Sequence, residues 1–64
     1  MSVWIVTMER PYDRTDIISV HSLYENAVRA ADIFANKCIP KVTRIGDYWE
    51  DGSVSVEINK YVVD

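Results

Sequence analysis

The chain predicts an α+β domain, an antiparallel sheet of three to four strands with one helix packed on one face, spanning residues 1–64 as a single unit. Three observations carry this reading. Ser22 to Cys38 has the period of an amphipathic helix, two β-rich runs precede it, and an alternating run closes the chain. Hairpin connections require antiparallel pairing, which leaves the helix to cover one face of the sheet. The order reads ββαββ, or ββαβ if Val42 to Glu50 stays largely irregular.

The first run, Val3 to Met8, has no breaker and carries large apolar residues on both faces, Val3 and Ile5 against Trp4, Val6 and Met8. One face suits the helix, and the other suits a second copy of the chain. Glu9 to Asp16 is a charged loop in which Pro11 stops the ladder and Asp13 and Asp16 favour turns. Arg10, Tyr12, Asp13 and Arg14 form a candidate contact patch there, with a solvated hairpin tip as the plainer alternative. Ile17 to His21 reads as the second strand and leads directly into the helix.

Ser22 is placed to cap that helix, with Glu25 completing a capping box. Glu25 in the first turn and Lys37 in the last both suit the helix dipole. Leu23, Ala27, Ala30, Phe34 and Cys38 form the apolar stripe, widened by Val28, Ala31 and Ala35. Alanines in this stripe keep helix propensity high and allow a sheet to approach closely. Pro40 disfavours helical geometry at Ile39 and ends the element near there.

Beyond the helix, Val42, Thr43 and Ile45 suggest a strand, and Gly46-Asp47 a turn or bulge. Asp51-Gly52 has the chemistry of a two-residue hairpin turn between Tyr48-Trp49-Glu50 and the run from Ser53 to Val63. In that run Val54, Val56 and Ile58 alternate with polar residues until Lys60 falls where an apolar residue is due. A bulge near Asn59-Lys60, or an edge strand guarded by lysine, would account for the slip.

Composition narrows the function. A chain of this length buries only about 60 % of its unfolded surface. A single cysteine excludes an internal disulfide or a multi-cysteine zinc site, so association is the remaining source of burial and a homodimer through the Val3–Met8 strand is expected. A free thiol, an N-terminus without a basic n-region and no long apolar run fit a cytoplasmic protein that does not enter membranes. The net charge of −3 disfavours binding to a phosphate backbone and suits a basic protein partner.

No catalytic residue, cofactor or metal site is expected. His21 and Cys38 lie at opposite ends of the helix, about 25 Å apart at roughly 1.5 Å per residue, so they read as a residue flanking the cap and a small buried hydrophobe. Asp47, Glu50 and Asp51 fall on exposed turns, where nothing raises a carboxylate pKa towards neutrality. Gly46 and Gly52 are isolated, so no phosphate-cradling loop is present. The best interaction signal is Tyr48, Trp49, Glu50 and Asp51. Neighbours on a strand face opposite ways, so Tyr48 and Trp49 do not share one core, and an exposed aromatic beside carboxylates suits an interface.

Three segments, VWIVTMERPYD, IISVHSLYENAVRAADIF and VSVEINKYVVD, resemble a group of short phage and prophage accessory proteins. The group has no assigned activity and transfers no residue roles. The resemblance implies a mobile-element setting, in which small acidic proteins bind and block a host or defence protein, as anti-restriction and anti-CRISPR proteins do. The expected function is therefore a non-enzymatic inhibitor or modulator acting by surface occlusion. The alternative is a small nucleic-acid-binding regulator using Arg10, Arg14, Arg29, Lys41 and Arg44.

Overall fold

The computed structural model describes residues 1–10, 15–39 and 41–63. The elements are β1 (Ser2–Glu9), β2 (Thr15–His21), α1 (Tyr24–Cys38), β3 (Thr43–Ile45), β4 (Tyr48–Glu50) and β5 (Ser55–Val62). They form a five-stranded antiparallel sheet in the order β2-β1-β5-β4-β3, with α1 against one face. The α+β class is as expected, but there are five strands rather than three to four. The additional pairing comes from Val42 to Glu50, which folds into the β3–β4 hairpin.

The core follows from strand parity and the alanine stripe. Trp4, Val6 and Met8 on β1 share the helix-facing side with Val56 and Ile58 on β5 and Trp49 on β4, because register places Val6 opposite Ile58 and Trp49 opposite Val56. Ala27, Ala31 and Ala35 are fully buried and bring the helix axis close to these side chains. Val28 and Phe34 flank them, and Ile39 closes the end of the core beyond α1. The predicted stripe is therefore too long at both ends. Leu23 and Cys38 are exposed, so Cys38 is not the buried hydrophobe expected.

The helix also begins later than expected. Leu23, not Ser22, is the N-cap residue and makes no side-chain cap hydrogen bond, so the Ser22–Glu25 capping box does not form. Tertiary contact at the first helical residue accompanies this start. The Tyr24 ring meets Trp4 edge-on at 6.2 Å between centroids, and its hydroxyl donates to the Asp47 carboxylate. The hydroxyl's pKa is raised, first because the neutral O–H is the form that donates to Asp47.

One of the two turns is as expected, and the other is wider. Gly46-Asp47 is the two-residue connection, since Ile45 pairs with Tyr48, and Gly46 has φ +62°. Asp51 to Val54 is a longer loop closed between Glu50 and Ser55. There the Asp51 Oδ1 atom accepts from the Ser53 amide at 2.9 Å, the Val54 amide at 2.9 Å and the Ser53 hydroxyl at 3.0 Å. An aspartate that satisfies consecutive amides stabilises the wider loop over the tight turn.

The expected bulge near Asn59-Lys60 is absent, because β1 and β5 pair without interruption from Ser2–Val62 to Glu9–Ser55. The register shift lies in β2, where Ile18 is the extra residue between the Val6–Ser19 and Thr7–Ile17 pairs. The edge-strand alternative holds at Lys60, because β4 pairs with β5 only from Ser55 to Glu57 and leaves that side of β5 open further along. Lys60 keeps the parity of Ile58 and places its ammonium 5.8 Å from the centre of the Trp4 ring.

Candidate functional site

The sheet has two unlike faces. The helix covers one. On the other, strand parity places Val3, Ile5 and Thr7 of β1 beside Ile17 and Val20 of β2, with Asn59 and Tyr61 of β5 on the opposite flank. Further along the same face lie Glu57 of β5, Tyr48 and Glu50 of β4, and Thr43 and Ile45 of β3. Ile17, Ile45, Val20 and Tyr61 remain 68 %, 60 %, 55 % and 53 % exposed, so large apolar side chains stand in solvent on this side. An apolar sheet face normally finds a covering layer.

The face divides by chemistry. The β2–β1 half carries Val3, Ile5, Thr7, Ile17 and Val20, all uncharged, and Asn59 and Tyr61 extend it onto β5. The β4–β3 half mixes Ile45 and Tyr48 with the carboxylates of Glu50 and Glu57. The Asp51 loop continues that acidic end. Its carboxyl is held below the usual range by the backbone donors of Val54 and Ser53, with the Ser53 hydroxyl adding to them.

The four residues expected to act together on the YWED segment are thus separated. Tyr48 and Glu50 are half-buried on the uncovered face, and Asp51 is exposed on its loop. Trp49 is 1 % exposed and belongs to the core, so the expectation that it contributes to a binding surface is withdrawn. The physical reason is register, because pairing with Val56 sets Trp49 on the helix side. The Arg44 guanidinium covers the outer side of the indole, 4.9 Å from its centre, and also donates to the Gly46 carbonyl at 2.8 Å.

Of the second patch, Arg10 is exposed and its Nη1 atom lies 3.4 Å from Asp16 Oδ2. Tyr12, Asp13 and Arg14 lie outside the described residues. For the nucleic-acid alternative, the relevant point is that Arg10 and Arg44 are both engaged within their own chain.

Sequence reading missed Ile17, Val20, Ile45 and Tyr61 as surface residues. The signal available was Val3 and Ile5, whose parity opposite Val6 and Met8 implies a second apolar face. Its extension over neighbouring strands depends on pairing register. Among the described residues there is no cavity, no cluster of three or more His, Cys, Asp or Glu able to hold a metal, and no helix long and apolar enough to cross a membrane. No protein-family model, curated protein or solved structure matches the chain. The fold and its surface define the class, an α+β domain with one sheet face uncovered.

Proposed function

We propose that this chain is a non-enzymatic protein-binding module of phage or prophage origin, which inhibits or modulates a host or defence protein by occluding its surface. The observation that carries the reading is the β4–β3 half of the uncovered face, where Ile45 and Tyr48 stand beside Glu50 and Glu57. Tyr48 and Ile45 supply the apolar anchor, and the carboxylates pair with Arg or Lys of a basic partner. The acid excess of the whole chain steers such a partner towards it.

The test is capture of a partner from host lysate on the immobilised protein, followed by titration of the purified partner against variants. Tyr48→Ala and Glu50→Lys are each expected to weaken binding about tenfold or more. Ile33→Ala, on the exposed side of α1, leaves affinity unchanged. Wild-type affinity in a folded Tyr48→Ala protein overturns the site. A steeply salt-dependent shift with DNA favours the nucleic-acid regulator instead.

A further inference from the structure

We infer that the β2–β1 half of the uncovered face is covered by a second copy of this chain, giving a face-to-face homodimer. This inference is independent of the foreign-partner reading, which uses the other half of the face. The dimer hides Val3, Ile5, Ile17 and Val20, and it leaves Ile45, Tyr48 and Glu50 free.

Charge selects the occupant. Two copies of a chain with net charge −3 repel unless they meet where neither carries an acid. Val3, Ile5, Thr7, Ile17 and Val20 form such a stretch, bounded by Glu9 at the end of β1 and by Glu57, which pairs directly with Thr7. A foreign partner of defined charge has nothing to read there, whereas an identical apolar patch is complementary to itself across a two-fold axis.

Area sets the strength of this contact. The acid-free residues of β2, β1 and β5 span about 16 Å along strands spaced about 4.8 Å apart, a footprint of about 240 Å² before side-chain relief. Two such patches together cover on the order of 700 Å² once relief is counted, the size of a weak, transient contact. That size belongs to a concentration-dependent dimer rather than a permanent one.

Face-to-face packing is favoured over pairing of edges. The register shift at Ile18 breaks the regular ladder of the β2 edge, and the β3 edge spans only Thr43 to Ile45. Stacked sheets pack about 10 Å apart, a gap that isoleucine and valine side chains from both copies fill.

The experiment is sedimentation velocity across a dilution series, beside methyl NMR of the wild type over the same range. The mass is expected to rise from the monomer's 7.4 kDa towards twice that value with concentration. Ile17→Glu and Val20→Glu, at exposed positions where folding tolerates charge, are each expected to hold the protein at the monomer mass with an unchanged circular dichroism spectrum. Ile33→Glu is expected to dimerise like the wild type. In the wild type, dilution is expected to shift the methyl resonances of Val3, Ile5, Ile17 and Val20 while sparing Ile33, a readout that requires no variant. A monomer at every concentration overturns the inference. So does a dimer that persists in both variants, or dilution shifts confined to Ile45 or to α1.

Discussion

The indole N–H of Trp49 donates to the Asp32 carboxylate at 3.3 Å, so the largest buried side chain is tied to the exposed side of the helix. This bond satisfies the polar atom of a core residue that a three-residue strand supplies. Its ring belongs to the same buried cluster as Ala31 and Ala35, and its polar atom reaches Asp32 on the helix.

Trp49→Ala is expected to cost about 3–5 kcal/mol, comparable with the whole stability of a domain this small, and to leave the chain largely unfolded at 25 °C. Trp49→Phe keeps most of the ring and loses the hydrogen bond, at about 1–2 kcal/mol. Urea unfolding followed by circular dichroism checks both. Equal stability of the Ala variant and the wild type would contradict the packing described.

Ala31 is fully buried where the helix meets the sheet. Ala31→Leu forces the two layers apart and is expected to cost about 1–3 kcal/mol or more. Ala31→Gly creates no clash and is expected to cost about 1–2 kcal/mol through helix propensity and the lost buried methyl. A Leu variant as stable as the wild type would show that the helix does not sit closely on the sheet.

At Gly46 the backbone has φ +62°, and an added Cβ would meet no heavy atom within 4 Å. Gly46→Ala therefore isolates a conformational penalty of about 1 kcal/mol, while Gly46→Asn is expected to cost less because asparagine tolerates this region. Thermal melts of the two variants should rank Gly, Asn, Ala in descending stability.

Asp51 has a lowered pKa because its charged form accepts the amides of Val54 and Ser53. A depressed folded-state pKa contributes stability that is complete above the unfolded value, near 4, and lost as pH falls through the folded one. The wild type is thus expected to lose more stability than Asp51→Asn between pH 5 and about pH 2. Asparagine keeps a side-chain acceptor without titrating. Melting temperatures against pH provide the comparison, and parallel curves would exclude a role for the Asp51 charge in holding the loop.

Much of this fold was legible in local patterns. The alternation of Val54, Val56 and Ile58 marked a strand, and the alanine stripe marked a helix that ends at Cys38 as expected. Misreadings arose where several local solutions compete. Ser22 has cap chemistry, yet the helix begins at Tyr24, where the ring meets Trp4 and the hydroxyl meets Asp47. Asp51-Gly52 has turn chemistry, yet the Asp51 side chain satisfies the amides of a longer loop. The candidate site suffered most, since Tyr48 and Trp49 are both plausible interface aromatics until a register is chosen.

The sequence by itself determined the α+β class, the helix, the outer strands and the presence of apolar residues on both faces of Val3–Met8, because propensity and periodicity act over a few neighbouring residues. Only the tertiary structure decided that Trp49 faces inward, that Tyr48 and Glu50 face outward, and that Ile17 and Val20 join Val3 and Ile5 on one uncovered surface. The physical reason is that a strand's two faces are equivalent until it pairs, and shifting the register by one residue exchanges them.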